Sequence, residues 1–533
     1  MLLSLTNTGD ARDITPIDLD GRPAAGAIFG RLFERSELDG QSARVNRLSQ
    51  PAAQALFERG SEELFSQYWG RYIAFLRAGT GWSIITDPTS SIPCFQAMRC
   101  GVTLVFSHLE ACDFLDRTSF TVNYGFLSQL LAYDRIQTGE TGLNEVRELS
   151  GGERLLITPA GNKTDKLWDP RILARDPLSL GVPDAAGLLY RTTRDVVEAW
   201  QASTDETLIS LSGGLDSAIV LACLREAGGK AGITALHHHL GDSDLPEAEL
   251  AREAARRAGC NFHMVKINPV QSLPDPEGHP LSARPFRQYL GSSLATQLGD
   301  HPERPGSVIF TGQGGDHLFL KSQSALGFSD YISHRGPASG ILRELVNASR
   351  LSGQPAVSVL RAHFAGAERR PIEQRPTGRG KLEQVQRLAH LWQLREPIIR
   401  STHIDIVHPL ISQPLVELCL RLPVYVLAAG GISRGLARLA FKDKIPESIR
   451  LRMTKGSASG HFSEVLAANA SMLDDTLSGG ALASAGLLAE DAFRPLLEGE
   501  SHRVGSQGGR LLVMFTIEAW LRRWRRELSK ARS

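Results

Sequence analysis

The sequence of 533 residues predicts an α/β protein in which a β-rich first third precedes a doubly wound parallel sheet and a mostly helical remainder. Three observations support this prediction. Short β-branched and aromatic runs fill the chain up to about residue 175, and strands alternate with helices from about residue 185. Two of those strands end in a glycine-rich turn. The net charge of +1 gives no field that attracts nucleic acid or an anionic membrane, so neither partner is predicted.

In the first third, the predicted strands are RYIAFLRAG, GWSIITDP, VTLVFSHL and RLLITPAGN, each bounded by Gly, Pro or Asp. LFSQYWG and YGFLSQLLAY are interpreted as short helices between them. A proline-containing stretch then predicts a linker between a domain at residues 1–180 and a second domain at residues 185–533. The sequence has no CxxC pair, no signal peptide pattern and no long apolar run. It therefore predicts a cytoplasmic protein with no membrane span.

The second part opens with AGLLYRTTRDVVEAWQAS, whose apolar spacing predicts an amphipathic helix. TLISL, ITALHHHLG, FHMVKI and SVIFT are predicted strands, and PEAELAREAARRAG is a predicted helix. From about residue 337 the pattern is mostly helical and ends in RRWRRELSK, interpreted as a solvated helix end. The residues His237 to His239 are consecutive on a strand, where neighbours point to opposite faces, so we predict no metal site there.

The first glycine turn, SGGLDS, follows the strand LISL and precedes a helix. Small residues let backbone N–H groups approach a phosphate closely, and the start of the helix adds partial positive charge. The turn is not a Walker A loop, because the Gly-Lys-Ser/Thr ending is absent. An acid inside such a turn indicates a bridging Mg²⁺. The predicted ATP-binding residues of this turn are Leu211, Ser212, Gly213, Gly214, Asp216 and Ser217.

The second glycine turn, TGQGGD, also follows an apolar strand. Ligands of parallel sheets bind outside the carboxyl ends of the strands, so both turns should lie at one rim. Gly312, Gln313 and Gly314 are therefore further predicted ATP-binding residues. Asp216 and Asp316 are the predicted ligands of one Mg²⁺.

SGGLDS resembles the signature of ATP-pyrophosphatase loops. The order of SGGLDS, PEAELAREAARRAGCNFH, TGQGGD, HPLISQPLVELCLRLP and IPESIRLRMTKG resembles the asparagine synthetase family over roughly residues 200 to 460. Within it, HPLISQPLVE and TGQGGDHLF resemble lasso peptide cyclases, which close a macrolactam ring in a ribosomal peptide. The resemblance implies an N-terminal glutaminase-like αββα sandwich, followed by an ATP-pyrophosphatase domain with a helical extension.

The resemblance also implies a reaction. An ATP-dependent ligase of this kind adenylates an internal Asp or Glu side chain of a core peptide and closes it with the N-terminal amine, releasing AMP and pyrophosphate. A leader-binding protein and a leader peptidase are the implied partners. Glutamine-hydrolysing relatives carry a cysteine directly after Met1, where this sequence has Leu2, so glutamine is not expected as the amine source. A small-molecule amide or β-lactam synthetase, an asparagine synthetase-like ligase and an inactive peptide-binding scaffold stay open as alternatives.

The same resemblance assigns catalytic residues. Lys455 stands where the family carries its catalytic lysine, after the segment IPESI, and Arg452 is a second candidate cation. Asparagine synthetases carry a glutamate at the position of Gln313, and an amide cannot accept the proton that the attacking amine must lose. The candidate bases are therefore Glu396, Asp405 and His317, and at the position of Glu396 relatives also carry an acid.

Overall fold

The computed structural model confirms the α/β class, with antiparallel sheets in the first third of the chain and a parallel sheet in the rest. The residues that it describes are 13–19, 22–35, 42–58, 61–133, 138–228, 232–239, 245–268, 273–286, 298–336, 340–365, 378–389, 404–453, 464–498 and 505–530.

The first third of the chain contains two antiparallel sheets and four short helices among its described residues. The large sheet has the order β1-β2-β4-β5-β9-β10, with β3 paired to β2, and the small sheet has the order β7-β6-β8. The strands are β1 (Ile14–Leu19), β2 (Arg22–Glu34), β3 (Arg44–Val45), β4 (Tyr68–Ala78), β5 (Gly81–Thr86), β6 (Phe95–Arg99), β7 (Val102–Phe106), β8 (Val146–Glu148), β9 (Glu153–Thr158) and β10 (Gly161–Lys166). The helices are α1 (Gln50–Glu58), α2 (Glu63–Gln67), α3 (Tyr124–Tyr133) and α4 (Pro170–Leu173).

The two sheets pack face to face, and helices cover their outer faces. Phe75 and Ile84 of the large sheet share a core with Val105 of the small sheet and with Cys94, which directly precedes β6 of that sheet. Helices α1 and α2 bury apolar residues against the other face of the large sheet, and α3 packs on the small sheet. The layer order is therefore helix, sheet, sheet, helix, as expected for an αββα sandwich.

The segment LFSQYWG is helical only in its first part, contrary to expectation. Tyr68 and Trp69 instead begin β4, where they pair with Glu34 and Phe33 of β2. The Trp69 ring stacks on Phe33 with ring centroids 4.6 Å apart and is fully buried. Pairing with β2, a strand far away in sequence, outweighs the local helical pattern.

The remainder of the chain is built on a five-stranded parallel sheet with the order β13-β12-β11-β14-β15. Its strands are β11 (Glu206–Ser210), β12 (Ile233–His239), β13 (Asn261–Lys266), β14 (Ser307–Thr311) and β15 (Ile404–Val407). The first four strands were predicted, whereas β15 lies in the region that was expected to be helical. Three of its four residues are Ile or Val, but the run is too short to stand out from its surroundings, and its pairing with β14 makes it a strand.

Helices surround this sheet and continue to the end of the described chain. They are α5 (Val182–Gln201), α6 (Leu215–Ala227), α7 (Leu245–Ala258), α8 (Gly315–Leu318), α9 (Leu326–Arg335), α10 (Ile341–Ser352), α11 (Ala356–Ala365), α12 (Arg379–Ala389), α13 (Gln413–Arg421), α14 (Val424–Leu427), α15 (Gly435–Ala440), α16 (Glu447–Leu451), α17 (Ala470–Leu477), α18 (Ala481–Ser484), α19 (Glu490–Glu498) and α20 (Gly505–Ser529). Successive strand residues such as Leu208 and Ile209 enter different cores, so both faces of the sheet are buried.

The C-terminal helix α20 packs back onto the small antiparallel sheet. Phe95 and Phe106 of the small sheet share a core with Trp520 and Trp524 of α20. The stretch RRWRRELSK, expected to be a solvated helix end, has a buried face, because the N–H of its fully buried Trp524 donates to the carbonyl of Ser282 at 3.0 Å. The N–H of Trp520, one turn earlier, donates to the same carbonyl at 2.9 Å. No helix within the described ranges is long and apolar enough to cross a membrane.

Candidate active site

The two glycine turns lie side by side at the carboxyl rim of the parallel sheet. Strands β11 and β14 are neighbours, and their last residues, Ser210 and Thr311, are paired. The chain order of the strands reverses between them, since β12 and β13 lie on one side and β15 on the other. Parallel sheets bind ligands at such a switch point. The rim where the turns meet is therefore the first place to look for an active site.

The first turn is shaped to present its backbone. Gly213 has φ of +73°, and a Cβ there would collide with the carbonyl oxygen of Glu247. The Ser217 hydroxyl closes the turn by hydrogen bonds with the backbone N–H and the hydroxyl of Ser212 at 3.3 and 3.2 Å. Gly214 precedes α6 and provides no side-chain cap, so the first N–H groups of this helix have no side-chain acceptor from the N-cap. Such a helix start is suited to an anion.

The neighbouring strand supports the turn from behind. The Nδ1 atom of His237 lies 2.8 Å from the carbonyl oxygen of Leu211, and the His237 side chain is buried. The His238 Nδ1 lies 3.5 Å from the hydroxyl of Ser210. These two histidines of the triplet therefore contact the strand that carries the turn.

The second turn packs directly on the first. A Cβ at Gly312 would lie 2.5 Å from the backbone nitrogen of Ser217, so only glycine lets the two turns approach this closely. The Gln313 side chain is exposed at the rim, and its backbone N–H donates to the Thr311 hydroxyl at 3.2 Å. Gly314 has φ of +95° and is the N-cap of α8. The geometry thus brings together all the predicted phosphate-binding residues.

Asp216 and Asp316 meet at this junction on a shared cation. The Nη1 of Arg434 lies 3.0 Å from Asp216 Oδ2 and 2.7 Å from Asp316 Oδ1. Lys321 adds a second positive charge, with its Nζ 3.2 Å from the other Asp316 oxygen. Asp216 and Arg434 are buried, whereas Asp316 and Lys321 are partly exposed. The two carboxylates predicted to share a metal therefore do face one positively charged position.

These residues fit Mg²⁺ and ATP by the chemistry of their donor groups. Mg²⁺ is usually held by one or two carboxylates, with substrate phosphates and water completing its shell. Asp216 and Asp316 would supply the two carboxylates, and the turn at Gly213 and Gly214 would form the cradle for phosphate. Among the residues that the structure describes, no cluster of three or more His, Cys, Asp or Glu side chains forms an all-protein metal cage.

The segment HPLISQPLVE connects the site to the N-terminal sandwich. At one end, His408 Nδ1 hydrogen-bonds with the Thr311 hydroxyl at 2.6 Å. At the other, the Gln413 amide donates to the carbonyl of Phe65 at 2.9 Å, and Glu417 pairs with Arg35 at 2.7 Å. A segment that the sequence linked to lasso peptide cyclases thus joins the second glycine turn to the N-terminal sandwich.

The candidate bases have different positions. The Asp405 carboxylate pairs with Arg71 at 2.7 Å and lies 3.7 Å from Arg31. Burial alone would raise the pKa of Asp405, but attraction to Arg71 and Arg31 outweighs burial and lowers this pKa. A carboxylate held in this way is a poor proton acceptor, so we discard Asp405 as the base. His317 lies on the short helix α8, one residue after Asp316, and Glu396 lies outside the described residues.

The segment that leads to the predicted catalytic lysine is held by two contacts. The Arg452 guanidinium forms an ion pair with the Glu247 carboxylate, with an N–O distance of 2.5 Å. The backbone carbonyl oxygen of Glu247 lies against Gly213 of the first turn. The buried guanidinium of Arg438 donates to the backbone carbonyls of Arg450 and Arg452. Burial, followed by repulsion from Arg434, lowers the pKa of Arg438 to about 10. Arg452 is thus tied to the first turn, while Lys455 lies outside the described residues.

Sequence reasoning missed Arg434 and Lys321. Neither belongs to a motif that signals phosphate or metal chemistry, and Arg434 is 118 residues away from Asp316 in sequence. One local feature sets Arg434 apart, which is its φ of +57° in a residue other than glycine. Backbone angles cannot be read from the sequence, so the arginine becomes visible only in the tertiary structure.

Comparison with known proteins supports a family assignment. The family model described as asparagine synthase matches residues 189–522. The chain is 26% identical over 244 residues to the microcin J25-processing protein McjC of Escherichia coli. This match covers 44% of this chain and 44% of that relative, so the chain aligns with less than half of the relative's length.

Two solved structures show weaker similarity. One is described as the allosteric regulatory enzyme of purine biosynthesis, with 13% identity, a TM-score of 0.19 and coverage of 47% of this chain and 62% of that chain. The other is the glutamine phosphoribosylpyrophosphate amidotransferase from B. subtilis, with 12% identity, a TM-score of 0.16 and coverage of 64% and 76%. These TM-scores are too low to indicate a shared overall fold. Because the family model spans more than half of the sequence and includes both glycine turns, the chain belongs to the asparagine synthase family.

Proposed function

We propose that this protein is an ATP-dependent, AMP-forming ligase that closes a macrolactam ring in a ribosomal core peptide, as lasso peptide cyclases do. The observation that carries the proposal is the junction of the two glycine turns, where Asp216 and Asp316 face one cationic position. The segments HPLISQPLVE and TGQGGDHLF favour the peptide-cyclising branch of the family. The similarity to a protein that processes microcin J25 supports a peptide substrate.

In the first half-reaction, the backbone N–H groups of Ser212 to Gly214 and the start of α6 hold the β- and γ-phosphates of ATP. An oxygen of the peptide's Asp or Glu side chain attacks the α-phosphorus. The bond from the α-phosphorus to the bridging oxygen breaks, and pyrophosphate leaves with the electron pair. Asp216 and Asp316 would hold Mg²⁺, which neutralises phosphate charge as it develops. Lys455 is proposed to stabilise the charge on the α-phosphate.

In the second half-reaction, the N-terminal amine of the peptide attacks the acyl carbon of the adenylate. The amine gives up one proton, for which Glu396 is the proposed acceptor, and AMP leaves with the electrons of the acyl–oxygen bond. The product is the peptide minus one water. A leader-binding protein and a leader peptidase are the proposed partners that deliver a leader-free core.

The reaction is tested with the purified enzyme, the two partner proteins and a candidate precursor peptide. Phosphorus NMR should show AMP and pyrophosphate in amounts equal to the cyclised product, and mass spectrometry should show a loss of one water with a blocked α-amine. Formation of ADP and phosphate would contradict the assignment. A dehydrated product that keeps its free α-amine would exclude macrolactam closure and favour another amide-forming reaction.

Lys455 provides a second test of the same proposal. Lys455→Ala should lower the rate of AMP formation about a hundredfold, equivalent to about 3 kcal/mol of transition-state stabilisation. The affinity for ATP should fall far less, because the backbone of the first turn carries ground-state binding. Lys442→Ala, on a lysine that has no place in the proposed site, is the matched control. Equal turnover of the Lys455→Ala variant and the wild type would remove this lysine from the mechanism.

A further inference from the structure

We propose that Arg434 and Lys321 take the place of the divalent cation in the nucleotide-free enzyme, so that the metal enters the site only together with ATP. This inference rests on the proposed function, because it takes Asp216 and Asp316 to be the metal ligands. It goes further by giving the binding order and by naming two residues that belong to no motif.

The position of Arg434 supports this exchange. Arg434 is 4% exposed, and its Nη1 contacts carboxylate oxygens from both turns, at 3.0 Å for Asp216 and 2.7 Å for Asp316. A metal that bridges the two carboxylates would need the place that Nη1 occupies. The arginine and the metal therefore compete for one position.

The charges of Arg434 and Lys321 also support this exchange. The two carboxylates carry two negative charges, and Arg434 and Lys321 together carry two positive charges, the same as one Mg²⁺. Metal ions alone would have to displace a buried charge-assisted hydrogen bond and give up part of their hydration shell. They would then leave the Arg434 guanidinium buried without a carboxylate, which is costly. Free Mg²⁺ should therefore bind poorly.

The Arg434 guanidinium has a hydrogen-bond donor that it does not use. Its buried Nε makes no hydrogen bond with any residue that the structure describes. Guanidinium groups bind phosphate oxygens with two parallel N–H donors, and this fork is only half used in the contact through Nη1. The phosphates of ATP would supply the missing acceptors. MgATP can thus release the carboxylates to the metal by giving the arginine a new anionic partner.

The backbone of Arg434 is hydrogen-bonded to the segment that carries Lys321. Its φ of +57° is unusual for arginine, and its N–H donates to the carbonyl of Leu320 at 3.2 Å. Leu320 itself has φ of +68° and precedes Lys321. The two cations are therefore held at adjacent anchor points. In the proposed exchange, the two side chains would turn from carboxylate to phosphate by rotation about their own bonds.

The test measures Mn²⁺ binding without nucleotide, by electron paramagnetic resonance of the free ion. The full-length wild type should show no binding up to millimolar Mn²⁺, and Arg434→Met should bind at least tenfold more tightly. Arg434→Lys, which keeps the charge, should bind Mn²⁺ as weakly as the wild type. Arg71→Met, which removes an arginine from a different aspartate, is the control and should gain no affinity.

The melting temperature gives an independent readout. Millimolar Mg²⁺ should raise the melting temperature of Arg434→Met but leave that of the wild type unchanged. If Arg434→Met does not fold, Lys321→Met replaces it, because Lys321 is 47% exposed on its side chain and tolerates replacement. A gain in Mn²⁺ affinity in that variant supports the proposal, and no gain overturns it.

Tight Mn²⁺ binding by the wild type without nucleotide would also overturn the proposal. The proposed function is tested separately, by the products of ATP cleavage. A wild type that excludes Mn²⁺ but releases ADP would contradict the ligase assignment and leave the metal exclusion standing.

Discussion

Two clusters of aspartate and arginine show how similar groups serve different purposes in one molecule. At the contact between the N-terminal sandwich and β15, the single carboxylate of Asp405 lies between Arg71 and Arg31. At the rim of the parallel sheet, two carboxylates, Asp216 and Asp316, converge on the single Nη1 of Arg434. In the first cluster one carboxylate contacts two guanidinium groups, and in the second one nitrogen contacts two carboxylates, one of which also contacts Lys321.

The difference teaches how to separate a structural ion cluster from a functional one. Arg71 holds Asp405 from another part of the fold, and attraction to Asp405 raises the pKa of Arg71. Nothing further is needed to balance that carboxylate. Asp216 and Asp316, by contrast, come from two turns that glycines allow to touch, and the arginine between them keeps an unused donor. Such an arrangement is suited to the exchange of one cation for another.

The largest expected effect comes from the rim cluster. Asp216→Asn and Asp316→Asn should each lower AMP formation about a thousandfold or more, because each removes a charge that the metal needs. Both variants should remain folded but melt below the wild type, because Arg434 loses one of its two carboxylates in a buried place. Rates of AMP release and circular dichroism melting curves check both parts. Near-normal turnover in both variants would show that the rim cluster is as structural as the cluster at Asp405.

The opposite result is expected for the interface cluster. Asp405→Asn should lower the free energy of unfolding by about 2 kcal/mol, because Arg71 and Arg31 lose their shared carboxylate in a partly buried place. The folded variant should release AMP at close to the wild-type rate. Urea unfolding measures the first quantity, and the product assay measures the second. A large loss of turnover with normal stability would return Asp405 to the list of candidate bases.

A smaller effect should follow from cutting the link between Glu247 and Arg452. Glu247→Gln should lower turnover about tenfold, because Arg452 would no longer hold the segment leading to Lys455 against the first turn. Arg452→Met should lower it by a similar factor. The double variant should be little worse than either single one, which a double-mutant cycle measures. Additive losses would mean that the two residues act separately, with Arg452 acting directly on the substrate.

The smallest effect concerns acid stability. The pKa of Asp405 is lower in the folded protein than its value of about 3.9 in an unfolded chain. Its contribution to stability is therefore fully present above pH 4 and is lost as the pH falls through the folded-state pKa. The difference in unfolding free energy between wild type and Asp405→Asn should be constant from pH 7 to pH 5 and should shrink below pH 4. A difference that grows on acidification would contradict the ion pair.

Local sequence signals determined much of the site. SGGLDS and TGQGGD each follow a strand, and the rule for parallel sheets places both at one rim, where the structure has Asp216 and Asp316 in contact with a common cation. The helices around YGFLSQLLAY and PEAELAREAARRAG also follow from spacing alone. Such features are visible in sequence because a turn or a helix depends on residues that are close in the chain.

Other features depended on contacts between distant residues. Strand β15 has only four residues and exists because β14 pairs with it. Asp405 is a candidate base from its position in sequence, yet arginines more than 300 residues away hold it as an ion pair. Arg434 reaches both metal-ligand candidates from a segment with no motif of its own. The sequence by itself determined where the two glycine turns lie, because glycine, strand and helix signals are local. Only the tertiary structure decided which charges meet there, because the strength of an ion pair depends on distance and burial and not on separation along the chain.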